Sequence, residues 1–181
     1  MTAPAHRRDA APGHTCEGRP DTCRLPDPWM CHVFYVDGSL RDITVTDTDD
    51  THWNQVLHHL GTAADELTWY SGHSGAEGED TDGNDAGDRL DALEDGYTAT
   101  LGVRCGRTWF SAHLPVDGIE FSLWPDGIED GAHVADVLRF LTELGTACGR
   151  PAVLTAETVT GHHELPPLIT YDPATGTTTH L

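Results

Sequence analysis

Three cysteines and a histidine near the N-terminus have the side-chain types that bind zinc. They are Cys16, Cys23, Cys31 and His32. Structural zinc sites usually take ligands in pairs two to four residues apart, with a second such pair elsewhere. Here six and seven residues separate the cysteines. The odd number of cysteines, their irregular spacing and the lack of a signal peptide favour reduced, unpaired thiols over zinc ligands or disulfides.

An acidic segment offers oxygen ligands at calcium-like spacing. Asp80, Asp82 and Asn84 match positions 1, 3 and 5 of an EF-hand loop. Position 6 requires Gly and is Asp85, and position 12 requires a long bidentate acid and is Asp91. No helical pattern leads into the segment. A solvated acidic loop therefore explains it better than a calcium site.

Enzyme motifs are absent from the sequence. There is no Gly-x-Ser-x-Gly elbow, and because the chain has no Lys, it cannot contain a P-loop. The pairs His58-His59 and His162-His163 lack the spacing of a zinc protease. Cys105 lies at a strand turn and Cys148 near a helix C-terminus, where the dipole raises a thiol pKa. We predict no catalytic residues, no bound metal and no cofactor.

Strong negative charge limits the classes of partner. Thirty acids oppose ten basic residues, all Arg, for a formal net charge of -20. Direct binding to nucleic-acid phosphates is excluded in practice, because that affinity comes from cations. Three explanations stay open: compositional bias with solubility, adaptation to high salt, and complementarity to a basic partner.

The hydrophobic patterns predict where these residues lie. Strands are expected at 33–36, 43–46, 67–70, 97–104, 108–114, 119–124, 152–155 and 168–171, with Asp37-Gly38 turning between the first two. Apolar stripes predict one helix after Asp47–Asp50, ending at Gly61, and a second across Val134–Leu144, ending at Gly145 or Gly149.

This order predicts an α+β fold. We expect a mainly antiparallel sheet with two helices packed on one face and a long acidic loop insertion. Residues 1–27 form a predicted disordered tail, and residues 28–181 form a single domain with the acidic loop at 71–96. No apolar stretch is long enough to span a membrane, and we expect a cytoplasmic protein.

Aromatic side chains on the predicted strands are candidates for an interface. They are Trp69, Tyr70, Trp109 and Trp124. Trp124 falls on the strand face opposite Ile119, Phe121 and Leu123. Either a helix or a loop covers Trp124, or it is an anchor for a partner beside acidic residues.

The last third of the chain resembles a known protein family. The helix Val134–Leu144 followed by Gly149-Arg-Pro-Ala-Val-Leu154 is similar to the small bacterial immunity proteins of polymorphic-toxin systems, particularly the Imm1-like group. The resemblance covers about forty residues of this chain. It implies an acidic, cytoplasmic, non-catalytic α+β domain that binds and blocks a toxin.

From this evidence we expect a non-enzymatic binding protein that neutralises a basic toxin or another nucleic-acid-acting protein. The alternatives are a metal-binding protein (zinc or calcium) and a domain whose acidity reflects composition alone. The sequence leaves the oligomeric state open. The residues expected to contact the partner are Asp80, Asp82, Asp85, Asp88, Asp91, Glu94, Asp95 and Trp124.

Overall fold

The computed structural model describes residues 23–72, 98–114, 118–157 and 165–181. Its helices are α1 Pro28–Val33, α2 Asp50–Ala63 and α3 Gly131–Cys148, with a 3-10 turn at Pro125–Gly127. Its strands are β1 Arg41–Val45, β2 Glu66–Gly72, β3 Thr98–Cys105, β4 Thr108–Leu114, β5 Ile119–Leu123, β6 Ala152–Ala156, β7 Ile169–Asp172 and β8 Thr177–His180. Of the predicted tail, residues 1–22 lie outside the described residues, whereas Leu25 packs against the core.

All eight strands form one antiparallel sheet in the order β2-β3-β4-β5-β1-β6-β7-β8. The predicted α+β class with a mainly antiparallel sheet is therefore confirmed. Strand β1 lies near the centre, between β5 and β6. Strands β2 to β5 form one half of the sheet, and the candidate aromatic residues lie on β2 and β4 and directly after β5.

The first predicted strand, Val33–Val36, is wrong. Residues Pro28–Val33 form α1 instead, with Pro28 in the first turn, where its ring fits the helix and its missing N–H costs nothing. The carbonyls of Val33 and Tyr35, which a strand would pair with a neighbour, accept hydrogen bonds from the Arg41 side chain at 2.8 and 2.6 Å. A buried arginine thus replaces the predicted hairpin contact.

The core lies between the sheet and its two longer helices. The predicted α3 stripe is buried apart from Leu138, which packs partly buried against the core. Phe140 stacks on Phe110 of β4 with ring centroids 3.9 Å apart. From α2, Trp53 reaches Phe121 of β5 at 5.6 Å. The buried hydrophobic side chains of the two helices are Trp53, Val56, Leu57, Leu60, Val134, Val137, Phe140, Leu141 and Leu144.

Capping side chains set the helix boundaries. Asp49 accepts from the backbone N–H groups of Thr51 and His52 at the start of α2, and Asp130 starts α3 in the same manner. Of the two predicted ends of α3, Gly145 and Gly149, it is Gly149 that ends the helix, in the left-handed conformation at φ 63°. The predicted end of α2 at Gly61 is wrong, because the helix continues to Ala63.

The sequence pattern does not predict strand β8. Its four residues, Thr177–His180, are all exposed, so they show no alternation of apolar and polar side chains. Pairing with β7 is what makes them a strand, in register Tyr171 with Thr178. Such an edge element depends on its neighbour and leaves little local signal.

Candidate interaction surface

One face of the sheet is not covered by α2 or α3, and we call it the open face. On β5 the buried residues Ile119, Phe121 and Leu123 point to the helices, so Glu120 and Ser122 point away. Strand pairing arranges the open-face side chains of β1 to β5 in three rows across the strands. These rows are Glu66, Arg104, Trp109; Thr68, Gly102, Ser111, Ser122, Asp42; and Tyr70, Thr100, His113.

Three large aromatic side chains are exposed on this face. Tyr70 is 48 % exposed, Trp109 45 % and Trp124 59 %. Trp69, the fourth candidate, is buried, because the alternation of β2 turns it to the helices. Among the described residues, no helix or loop covers Trp124, which follows β5 in extended conformation.

Trp109 and Trp124 occupy neighbouring positions. Ser111 of β4 lies opposite Ser122 of β5, and two residues further along each antiparallel strand are Trp109 and Trp124. The Arg104 guanidinium lies 6.0 Å from the centroid of the Trp109 ring. Arg104 also donates to Glu66 at 3.0 Å. Trp109 is thereby held in place by a charged neighbour, whereas no arginine of the described residues lies over Trp124.

Gly102 explains why Tyr70 and Trp109 lie close together. A Cβ atom at this position would stand 3.4 Å from Tyr70 Cε2 and 3.5 Å from Trp109 Cζ3. The two rings therefore cover the bare backbone of β3 and bury the glycine. The rings of Tyr70 and Trp109 thus have a structural role on this face.

Acidic groups lie beside the aromatic rings. Ser122 donates a hydrogen bond to Asp42 Oδ1 at 2.8 Å. Burial, and then the charge of Asp42, raise the pKa of Glu120 above its ordinary value. These two carboxylates repel each other electrostatically.

Most of the described arginines form ion pairs with acidic residues of the same chain. Ion pairs join Arg41 to Asp37, Arg104 to Glu66, Arg107 to Asp130, Arg139 to Asp65 and Arg150 to Asp47. Five of the six arginines in the described ranges are thus paired. With a formal charge of -20 for the chain, the remaining acids form the excess negative surface that the sequence predicted.

Seven of the eight residues expected to contact a partner lie outside the described residues. They are Asp80, Asp82, Asp85, Asp88, Asp91, Glu94 and Asp95. Trp124 is the eighth, and it lies on the open face. The register places Trp109 opposite Trp124 and Asp42 diagonally from it, whereas Glu120 lies four residues from Trp124 along the strand; the sequence alone did not group these residues. The alternation in β4 and β5, combined with their register, is the signal that could have found them.

Reduced thiols at Cys23 and Cys31 were a wrong expectation, because these residues form a disulfide. Their sulfurs are bonded to each other and are not available as thiolate ligands, which removes two members of the candidate zinc set. Cys16, the third, lies outside the described residues. Where the structure describes the chain, no cluster of three or more His, Cys, Asp or Glu could hold a metal ion.

A cleft of about 950 Å³ lies beside this disulfide. The Arg41 guanidinium in its wall donates to the carbonyls of Val33, Tyr35 and Leu40 and pairs with Asp37 at 3.4 Å. These acceptors satisfy the hydrogen bonds and the charge of the buried guanidinium. Arg41 therefore holds the segment between α1 and β1 in place. We therefore assign the cleft's charged centre a structural role.

The remaining candidate chemical groups have structural surroundings. Burial raises the pKa of both Cys105 and Cys148 to about 11, so neither forms a thiolate near neutral pH. His59 Nε2 lies 2.5 Å from Glu143 Oε2 and links α2 to α3. The pair His162-His163 lies outside the described residues.

Among the described residues, the helices include none with the length and apolar character needed to cross a bilayer. Comparison of the chain with known protein families, with curated proteins and with solved structures found no match.

Proposed function

We propose that this chain is a non-enzymatic binding protein of the immunity or inhibitor type, which neutralises a basic toxin or another nucleic-acid-acting protein by binding it. The observation that carries the proposal is the open face, where Tyr70, Trp109 and Trp124 are each about half exposed beside acidic groups. Aromatic residues at the centre of a surface patch are typical of protein interfaces.

The charge distribution supports a basic partner. The described arginines are mostly neutralised by neighbouring acids, and the acidic segment 77–95 adds nine further carboxylates against one arginine. An acidic surface accelerates encounter with a basic protein and disfavours acidic competitors. Inhibition would then be steric and electrostatic, and the protein would work in the cytoplasm beside its target.

Affinity capture from a lysate of the native host tests the proposal. The immobilised chain is exposed to lysate at low and at high salt, and the retained proteins are identified by mass spectrometry. We expect one stoichiometric basic protein whose retention falls as the salt concentration rises. Absence of any specific protein at either salt concentration would contradict the proposal.

The acidic segment is tested with the captured partner. Replacing Asp80, Asp82, Asp85 and Asp88 by Asn keeps the side-chain size and removes four negative charges. We expect slower association and a weaker dependence of the association rate on salt. Unchanged association kinetics would remove this segment from the binding mechanism.

A further inference from the structure

We propose that the Cys23–Cys31 bond is a reversible redox site, whose reduction by a cellular thiol releases residues 23–26 from the fold. We call residues 23–26 the strap. The inference rests on the proposed function, which places this chain in the cytoplasm as a non-enzymatic protein. Cytoplasmic disulfides are usually transient, and they serve catalysis or redox sensing. Without an enzymatic role, redox sensing is the use that this bond fits.

The bond is open to small thiols. Cys23 and Cys31 both line the cleft of about 950 Å³, and both are partly exposed. Exposed disulfides are the ones that cellular thiols reduce most readily. In the other two described cysteines, Cys105 and Cys148, burial raises the thiol pKa to about 11. These two hold almost no attacking thiolate near neutral pH, so exchange at the bond needs a thiol from outside the described residues.

The strap has few attachments besides the bond. Leu25 packs partly buried against the core, and Pro26 lies at the start of α3, where its Cγ would stand 3.3 Å from a Cβ atom added to Gly131. Within the described part of the chain, hydrogen bonds of the strap do not reach the sheet, α2 or α3. Segments with few buried contacts and few hydrogen bonds open at low free energy. The position of the strap therefore depends strongly on the disulfide.

Helix α1, which carries Cys31, has contacts of its own that survive reduction. Val33 is buried, and its carbonyl accepts a hydrogen bond from Arg41 at 2.8 Å. Trp29 stacks on His180 of β8, with ring centroids 4.1 Å apart. These contacts hold α1 against the sheet whether the disulfide is present or not. Reduction should therefore release the strap alone, as a local opening of an otherwise folded domain.

Release of the strap changes the cleft. Arg24 and Leu25 form part of its wall, together with the apolar side chains of Phe34, Ile128 and Leu168. When Leu25 leaves the core, apolar surface becomes exposed at this wall. Arg24 forms none of the ion pairs among the described residues, so no charge contact opposes the movement. The reduced form thus has a wider and more apolar cleft than the oxidised form.

The exchange proceeds in two steps. A thiolate attacks one sulfur of the bond, forms a mixed disulfide with it and releases the other cysteine as a thiolate, which takes up a proton. A second thiolate attacks the sulfur of the first thiol within the mixed disulfide and releases the remaining cysteine, which is also protonated. Two thiols thus become one disulfide, and two electrons and two protons pass to the two cysteines.

Glutathione buffers with graded ratios of the reduced to the oxidised form test the site in the full, native chain near neutral pH. Alkylation and mass spectrometry measure the thiol fraction at Cys23 and Cys31. After removal of glutathione, brief digestion with trypsin measures the opening of the strap as the rate of cleavage after Arg24. The double variant Cys23→Ser with Cys31→Ser lacks the bond permanently. Cys148→Ser is the matched control, because it removes a partly exposed thiol and leaves the bond intact.

We expect glutathione to reduce the bond in the native chain and its oxidised form to restore it. Cleavage after Arg24 should be at least about 10-fold faster in the reduced chain, because proteolysis follows the population of the open form. The fragment that begins at Leu25 should accumulate and keep its circular dichroism spectrum. The double variant should be cleaved as the reduced chain is, without a response to glutathione, and Cys148→Ser should behave as the unaltered chain does.

Three results would overturn the redox site. They are a bond that glutathione reduces only after denaturation, cleavage after Arg24 that is equally fast in both forms, and reduction that unfolds the whole chain. These assays contain no partner, so such a failure would leave the proposed function standing if a basic protein is captured from the lysate. Failed capture together with reversible, local reduction would instead overturn the proposed function and leave the redox chemistry standing.

Discussion

Phe140 of α3 stacks on Phe110 of β4, with ring centroids 3.9 Å apart and planes inclined by 14°. Phe140 also contacts Phe121 of β5 in a T-shaped arrangement, with the two ring centroids 5.1 Å apart. These contacts pack α3 against β4 and β5. Trp109 lies on the opposite face of β4, and Trp124 directly follows β5. The helix face of β4 and β5 therefore holds the core, and the proposed function assigns partner binding to the open face.

Replacing Phe140 by Ala should destabilise the fold by roughly 3–5 kcal/mol, because a fully buried aromatic ring leaves a cavity. Trp124→Ala should change the free energy of unfolding by about 0.5 kcal/mol or less, as for an exposed residue. Urea denaturation followed by circular dichroism measures both. A large loss for Trp124→Ala would show that Trp124 is a structural residue, contrary to its assigned role.

Two helical glycines should respond oppositely to the same substitution. A Cβ at Gly145 would lie 2.6 Å from Tyr171 Cδ1, whereas a Cβ at Gly61 would meet nothing within 4 Å. Gly145→Ala should therefore destabilise by about 1–3 kcal/mol through overpacking. Gly61→Ala should stabilise by roughly 0.5–1 kcal/mol, because alanine has the higher helix propensity. Urea denaturation midpoints of the two variants against the unaltered chain decide the signs, and equal signs would contradict the packing of α3 on β7.

Helix α3 and the β3-β4-β5 meander could be predicted because their signals are local. The stripe from Val134 to Leu144 and the alternation from Ile119 to Leu123 follow one period each, and both elements bury the expected side chains. The sequence narrowed the end of α3 to Gly145 or Gly149, and the structure has Gly149 in the left-handed conformation at that end.

Contacts between distant residues account for what the sequence did not reveal. The segment after α1 looked like a strand because Val33 to Val36 are apolar, but Arg41 binds its carbonyls. The Cys23–Cys31 bond and the pairing of Trp109 with Trp124 likewise depend on chain geometry. Composition and spacing do not specify such contacts, so the pairing of Trp109 with Trp124 could be found only from the sheet register.

Acid should remove the cap of α2 over a defined pH range. Hydrogen bonds from the Thr51 hydroxyl and the His52 ring lower the pKa of Asp49 to about 2. Because the folded-state pKa is depressed, the ionised cap contributes stability above about pH 4 and loses it as the pH falls towards 2. Asp49→Asn keeps a capping oxygen without a titrating group.

We expect the unaltered chain to lose more thermal stability between pH 4 and pH 2 than Asp49→Asn loses. Thermal unfolding monitored by circular dichroism across this range provides the comparison. Parallel losses in the two proteins would exclude Asp49 as a source of the acid sensitivity.

The Cys23–Cys31 disulfide should be detectable by thiol counting. Five cysteines minus the two in the bond leave three thiols for an aromatic disulfide reagent under denaturing, non-reducing conditions. Prior reduction should raise the count to five and lower the free energy of unfolding by roughly 2 kcal/mol, given the short loop that the bond closes. Five thiols in protein purified without reductant would contradict the bond and support the reduced state expected of the cytoplasm.

The central claim is that the open face binds the protein partner through Trp124. The most direct measurement is the dissociation constant of the captured partner for the unaltered chain, for Trp124→Ala and for Tyr35→Ala, by biolayer interferometry. We predict roughly 30-fold weaker binding for Trp124→Ala, about 2 kcal/mol, as for a central aromatic anchor. Tyr35→Ala should bind as the unaltered chain does. Equal affinity of all three proteins would contradict the account, because the partner would then bind elsewhere.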